Sequence, residues 1–351
     1  MYRKIIYTIA LAIGLAIVVG GSTSALADDF YKGKTIRFVV GYAPGGGYDT
    51  YTRAVVRHMG KHIPGNPTPI VQNMTGGGSL IAANYIYKRA KPNGLTVGIW
   101  NSGIILQQVL GGPGIRFQAD KFGWVGAPVK GWPTCAIMGH TGLRTLKDVV
   151  NTNQRIKVGA TRAGSTTDDL PKILNKTLGT NFDVISGYTG TATIRIAMQK
   201  QEIDAACWGW ESMGITARAM LDATGDEQLI PFLIHGKLDN PEPEVKGLPQ
   251  ILDVIKGEGN VATFKAWAST YDFQRPLSLP PGTPKGRLAI LRKAYRATMQ
   301  DPAFLADAKK SKLIISYVSG EDIEKHVATI LATPAAAKEK LGFLVRKKKK
   351  N

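Results

Sequence analysis

Apolar residues come in short β-branched runs, each closed by small residues and followed by a stretch of helical period. Thr35-Ile36-Arg37-Phe38-Val39-Val40 is such a run and ends at Gly41. Beyond a glycine loop, Tyr51, Ala54, Val55, His58 and Met59 share one helical face, which predicts a helix over 50–61. Asp49 is placed to cap it with its carboxylate. The order repeats: a strand over 69–73, the loop Thr75-Gly76-Gly77-Gly78-Ser79, a helix over 80–88 with Ser79 as cap, and a strand over 95–100 that ends at Asn101-Ser102-Gly103. A second set comes next, with strands over 154–160, 183–186 and 203–208 and helices over 169–178 and 192–199. Such alternation predicts an α/β protein with mostly parallel sheets flanked by helices, and two sets predict two lobes. The later part is less regular. Residues 241–249 read as a proline-rich connector and 267–273 as a strand. Pro280-Pro281-Gly282-Thr283-Pro284 is a stiff turn, followed by a helix over 285–299. Ser319-Gly320-Glu321-Asp322 resembles a capping box that opens a last helix.

The first residues fit none of this. Arg3 and Lys4 precede an apolar run over 5–20, and Ala25-Leu26-Ala27 ends the segment. That order of charge, apolar run and small residues is a secretory signal, with cleavage after Ala27. The run is roughly 16 residues, short of the ~20 a bilayer span needs, and no later stretch is apolar enough to span. A periplasmic location follows.

The net charge is +19. Two positive charges belong to the signal segment and five to Arg346-Lys347-Lys348-Lys349-Lys350, which reads as a solvated tail. The remainder carries +12, which suits an anionic ligand. The basic residues are scattered and form no aromatic-basic stripe, so nucleic acid is not an expected partner. Cys135 and Cys207 sit in strand-like segments. Two alternatives stay open for them: a disulfide, as an oxidising compartment permits, or two buried thiols packed as small hydrophobes. The length suits two domains.

Candidate chemistry sits in the loops after the strands, where α/β lobes bind ligands. These are Pro44-Gly45-Gly46-Gly47-Tyr48-Asp49, Thr75 to Ser79 with Gly77, Asn101-Ser102-Gly103, Gly164-Ser165-Thr166-Thr167, and Gly187-Tyr188-Thr189-Gly190-Thr191. Each joins glycine to small hydroxyl or amide residues, and several open a helix. Glycine lets backbone approach a ligand. A helix N-terminus offers unpaired N–H groups and about half a positive charge, so two facing ones hold a carboxylate or phosphate without Arg or Lys. Arg162 is a candidate for a second carboxylate, or a solvated loop arginine. Trp208, in Trp208-Gly209-Trp210-Glu211-Ser212, is a candidate ligand wall, as are Trp100 and Trp132, unless these are core or hinge aromatics.

In their order along the chain these segments resemble one family. Residues 38–49 resemble "VVPFxPGGxxD", Gln72 to Gly78 "ENRPGAGG", Ala90 to Thr96 "APPDGYTL", Gly187 to Ala192 "PYKGxAPA", and Pro280 to Lys285 "APAGTPK". The set covers nearly all of 30–330. It is similar to the periplasmic solute-binding component of tripartite tricarboxylate transporters, the Bug receptors. The resemblance implies a two-lobed periplasmic-binding-protein fold, type II-like, that closes on a small carboxylate, a di- or tricarboxylate or an aromatic acid. It implies a carboxylate held partly through water by Ala43, Gly46, Asp49, Gly187, Gly190 and Ala192, with membrane permease subunits as partners. Met74 replaces a basic residue of the pattern and Thr189 a lysine. The expected division is signal 1–27, lobe one 28–128 plus 236–345, lobe two 129–235, and tail 346–351, as a monomer.

Other function classes find little support. There is no G-x-S-x-G elbow. Gly159 to Thr166 has phosphate-loop spacing, but Ser165 stands in place of the lysine. Cys and His spacing does not read as a metal site, although His58 and His62 share an i, i+4 face. The expectation is a binding protein without metal or cofactor. A secreted carboxylate-processing enzyme and a receptor that signals to a membrane sensor kinase are the rivals.

Overall fold

The computed structural model describes residues 30–345. The expected signal segment and the basic tail lie outside the described residues. Among the described residues eleven strands form two sheets. The first contains β1 (Thr35–Val40), β2 (Thr68–Asn73), β3 (Thr96–Ile99), β4 (Gly123–Ala127), β10 (Leu277–Leu279) and β11 (Val318–Ser319), in the order β11-β4-β10-β3-β1-β2. The second contains β5 (Pro133–Met138), β6 (Ile156–Ala160), β7 (Phe182–Ser186), β8 (Ala205–Gly209) and β9 (Leu229–Ile234), in the order β7-β6-β8-β5-β9. Each sheet is the centre of one lobe, the first and the second.

The two sheets share one plan. β1, β2 and β3 are parallel, and so are β6, β7 and β8. The strand on which the chain enters each sheet from the other lobe runs the opposite way. β10 lies antiparallel between β3 and β4, and β5 lies antiparallel between β8 and β9. Central strands β3, β5 and β8 are buried along their whole length, as strands covered on both faces must be. β2 is an edge strand, which accommodates Pro69 because an edge leaves one row of N–H groups unpaired.

Cys135 and Cys207 stand opposite each other on β5 and β8 with Cα atoms 4.0 Å apart, and they form a disulfide. It closes a loop of 72 residues, which stabilises by about 2–4 kcal/mol. Of the two alternatives left open by the sequence, the disulfide holds.

The helices that accompany these strands include α1 (Gly47–Met59), α2 (Leu80–Lys88), α3 (Gly103–Val109), α4 (Leu146–Asn151), α5 (Thr166–Thr177), α6 (Thr191–Gln199) and α7 (Trp210–Thr216). Two differ from expectation in a way that matters for the cleft. α1 and α5 each begin three residues earlier than the apolar pattern suggests, because glycine and threonine contribute nothing to that pattern yet are tolerated in a first turn. A larger correction concerns 267–273. The expected strand is the end of the helix Glu258–Ala268 followed by a 3-10 turn, Ser269–Tyr271. Phe264, Trp267 and Tyr271 recur at helical spacing, and their rings pack at 5.3 and 4.8 Å. Aromatic enrichment alone suggests a strand; the period of the buried positions decides for a helix. The expected capping box is present only in its first half: Asp322 N–H donates to Ser319 Oγ at the start of the helix Gly320–Leu331, while the Asp322 carboxylate accepts from the Ser319 hydroxyl at 2.7 Å and not from its backbone N–H.

The chain crosses between the lobes twice, through 128–132 and 235–276. The crossings pair with each other: Gln274 N–H donates to the Val129 carbonyl at 2.8 Å and Gly131 N–H to the Tyr271 carbonyl at 2.8 Å.

Candidate functional site

The cleft between the lobes is walled by the loops that leave the strands at their carboxyl ends. The first lobe contributes the β1–α1 and β3–α3 loops. The second contributes the β6–α5, β7–α6 and β8–α7 loops, and the returning crossing adds Gln274 and Arg275. Between them lies a cavity of about 530 Å³, part of it open to solvent. The N-termini of α1, α5 and α6 face into it through Gly46, Gly47, Ser165, Thr166, Thr167 and Thr191. Their unpaired N–H groups and dipoles favour an anion.

Asp49 supports this wall from behind. It is not the cap of α1, because that helix starts at Gly47 with Gly46 in the capping position and no side-chain cap bond. Asp49 is instead buried in the first turn and reaches backward. Its carboxylate accepts from Gly45 N–H, Asn73 Nδ2 and Arg53 Nε, each at 3.0 Å. Asn73 Nδ2 also donates to the Tyr42 carbonyl at 2.9 Å, so the β1–α1 loop is tied to β2. Burial raises the Asp49 carboxyl, but the bonds from Arg53, Gly45 and Asn73 outweigh it and hold the pKa below the ordinary value. Ser79 is a similar correction. It precedes α2 in a left-handed conformation, φ 76°, without capping it. Its hydroxyl instead accepts from Asn101 N–H at 3.0 Å, which ties the second loop to the third.

At the rim the lobes touch each other. Ala43 N–H donates to the Thr189 carbonyl at 3.3 Å, and Asn101 Nδ2 donates to the Gly164 carbonyl at 2.9 Å. Arg195 Nη2 donates to the Gly45 carbonyl at 3.2 Å. Arg162 spans the cleft mouth from the second lobe, donating to the carbonyls of Gly77 and Pro113. Two glycines make this approach possible. A Cβ on Gly47 would collide with the Ser212 hydroxyl and stand 2.9 Å from Arg275 Nη2, and one on Gly103 would collide with the Gly164 carbonyl.

The floor carries charge. Arg275 and Glu211 are each 3% exposed, and Arg275 Nη2 donates to Glu211 Oε1 at 2.9 Å. Glu211 follows β8 in the second lobe, whereas Arg275 lies just before β10 of the first, so the pair spans both. Trp132 N–H donates to Glu211 Oε2 at 3.0 Å, and Arg275 Nε to the Gly47 carbonyl at 3.3 Å. The guanidinium also lies over the rings of Tyr51 and Tyr48, 4.5 and 5.2 Å from their centroids. Burial opposes its charge, but Glu211 more than offsets this and its pKa stays above the ordinary value. Burial pushes the Tyr42 hydroxyl up to about 12 and the Tyr48 hydroxyl well above 10, so both stay protonated near neutrality. Arg275 Nη1, Ser212 Oγ and Trp208 Nε1 are buried with no hydrogen-bond partner among the described residues.

Of the residues singled out in the sequence, Gly46, Gly47, Tyr48, Ser165, Thr166, Thr191 and Trp208 line the cavity. Ala43, Gly45, Gly77, Arg162 and Thr189 take part in the rim contacts. Gly190 packs at that rim, where a Cβ on it would stand 3.3 Å from Ala43 N. Gly187 and Thr189 are exposed, and Ala192 lies in the first turn of α6. Ser102 is fully buried and ties the returning crossing: its hydroxyl donates to the Thr270 carbonyl at 2.7 Å and accepts from Gln274 Nε2 at 2.9 Å. Trp100 belongs to the core, against Phe122 and Trp124 at 5.1 and 5.3 Å, and Trp132 sits at the first crossing. Asn101 and Thr167, members of the candidate loops, line it as well, and so do Tyr42, Thr161, Glu211, Ser212, Gln274 and Arg275, which were not singled out as ligand contacts. Glu211 and Ser212 were within reach, beside Trp208. Gln274 and Arg275 follow a stretch read as a strand, and no local pattern marks them.

His58 and His62 face separate carboxylates, with Nε2 3.0 Å from Asp307 and 3.0 Å from Asp301. Among the described residues no helix is long and apolar enough to cross a membrane.

No family model matches the chain. Over 119 residues it is 29% identical to the "UPF0065 protein in tcbD-tcbE intergenic region" of Pseudomonas sp. strain P51, an alignment covering 34% of this chain and 33% of that protein. The chain thus matches about a third of that relative's length. Solved structures extend over far more of it. The periplasmic binding protein BugD superposes with a TM-score of 0.70 at 20% identity, covering 91% of this chain and all of BugD. MatC from Rhodopseudomonas palustris, solved with malate, gives 0.68 at 18% identity, covering 89% of this chain and 99% of MatC. Rpa4515 of R. palustris, solved with adipate, gives 0.69 at 17%, covering 89% of this chain and 97% of that one. The chain has the fold of these solute-binding proteins, in line with the family its motifs resemble.

Proposed function

We propose that this chain is the periplasmic solute receptor of a tripartite tricarboxylate transporter, which captures a small carboxylate between its lobes and does no chemistry on it. One observation carries the reading: a cavity at the contact of two lobes, faced by three helix N-termini and by buried polar atoms without partners. Such a site is built for an anion that both lobes grip at once. Malate in MatC and adipate in Rpa4515, on the same fold, make a carboxylate the fitting class. The chain acts outside the cytoplasmic membrane as a monomer, with lobe boundaries near 128 and 236, and permease subunits recognise the closed form. A bridging ligand stabilises that form because only there do both walls reach it.

A thermal melt of the purified protein, stripped of ligand by unfolding and refolding, tests this against mono-, di- and tricarboxylates, aromatic acids, amino acids, sugars and phosphates. A ligand that binds only the folded state raises the melting temperature. A rise with one carboxylate class is expected. A response to sugars or phosphates and to no carboxylate would overturn the reading.

A further inference from the structure

The cleft floor carries an inference that deepens the receptor reading and rests on it. Arg275, Ser212 and Trp208 are each 3% exposed, each keeps one polar atom without a partner among the described residues, and all three line one cavity. A buried donor without a partner is costly, and packing alone gives no reason for three around one space. The guanidinium is also fixed in advance. Glu211 holds Nη2, the Gly47 carbonyl holds Nε, and the Tyr51 ring covers its face. Nη1 is the part of it left over. The Arg275 backbone has φ 59°, uncommon for a residue with a side chain. Such conformations persist where the surroundings enforce them, and they concentrate at binding sites. Ser212 Oγ and Arg275 Nη2 flank the same point beside Gly47, so the hydroxyl and the guanidinium face one region.

We propose that Arg275 Nη1, Ser212 Oγ and Trp208 Nε1 form a side-chain anchor for one ligand carboxylate, with Arg275 setting the preference for a carboxylate over a neutral ligand. Glu211 is the positioning residue: it holds the guanidinium in place and offsets its charge. This anchor adds to the backbone N–H groups of the glycine loops.

Calorimetric titration of the purified protein tests it with three probe pairs: succinate and succinamide, adipate and adipamide, benzoate and benzamide. The variants are Ser212→Ala, Trp208→Phe and the double change Glu211→Gln with Arg275→Met, which preserves shape and strands no buried charge. Each single change is expected to weaken the carboxylates ~10-fold, the scale of a hydrogen bond to a charged group, and the double change at least ~100-fold. Affinity for the amides should stay within about threefold, which a general loosening of the cleft would not spare. If the wild type binds a carboxylate and its preference over the amide is the same in every variant, the anchor is wrong and the receptor reading stands. If the wild type binds none of the three carboxylates, both fall.

Discussion

The rim and the floor of the cleft are built from different materials. At the rim, backbone carbonyls accept across the gap: Ala43 N–H bonds Thr189, Asn101 Nδ2 bonds Gly164, and the Arg162 and Arg195 guanidinium groups donate to further carbonyls. Arg195 Nη1 is buried there without a partner among the described residues, but the other polar groups named are engaged across the gap. On the floor, side chains dominate, and Arg275, Ser212 and Trp208 each keep an atom without a partner. The rim therefore holds the lobes together, while the floor has hydrogen-bonding capacity left for a ligand. Closure and recognition are separable in this molecule, and substitutions should separate them.

The largest effect is expected on the floor. Glu211→Ala leaves a buried guanidinium uncompensated, which costs about 3–5 kcal/mol. Urea unfolding should show a midpoint well below wild type, and an unchanged midpoint would mean that the ion pair is not buried as described. Next comes the rim. Gly47→Ala and Gly103→Ala put a methyl group where the lobes meet, and overpacking of this kind costs about 1–3 kcal/mol. Neither glycine needs a positive φ, and alanine is the better helix former. Carboxylate affinity should fall roughly 5- to 150-fold while the ligand-free melting temperature holds. Loss of both together would show that the methyl disturbs a lobe and not the contact between lobes.

A third prediction concerns pH. Asp169, beneath the β6–α5 loop, accepts from Gly164 N–H at 3.0 Å and Trp267 Nε1 at 3.3 Å. Burial first, and the neighbouring Asp168 second, push its carboxyl up to about 7. The folded chain keeps this proton where an unfolded chain, titrating near 4, has lost it. Stability from this group is thus complete below about pH 4 and lost as pH rises toward 7. Melts of wild type and Asp169→Asn over pH 4–8 should show the wild type falling behind as pH rises. Parallel curves would remove Asp169 as the cause. The smallest effect belongs to Arg162→Ala, which removes two donors at the partly exposed cleft mouth. Affinity should drop roughly threefold, since partly solvated bonds contribute about 0.5–1 kcal/mol. A drop as large as that from the floor variants would make Arg162 a ligand contact after all.

The sequence showed the parallel half of each sheet. β1, β2, β3, β6, β7 and β8 announce themselves by β-branched runs that end in glycine loops, and the rim follows from those loops. Of the inserted strands, β5 reads as strand-like around Cys135, whereas β10 carries no sign. β10 is three residues long, and its place is set by the return of the chain from the other lobe. The floor was legible only where it sits next to a marked strand, as with Trp208. Arg275 lies 64 residues from Glu211, and no periodicity relates them; only the crossing of the chain brings them together. Aromatic content misled at 267–273 because Trp267 and Tyr271, one helical turn apart, look with Phe273, residue by residue, like a strand.

The most direct test is a crystal structure of the protein with a carboxylate that raises its melting temperature. The carboxylate should lie between the lobes, within hydrogen-bond distance of Arg275 Nη1 or Ser212 Oγ and beside the N-termini of α1 and α5. A carboxylate bound elsewhere, with Arg275 still engaged only by Glu211 and Gly47, would contradict the account.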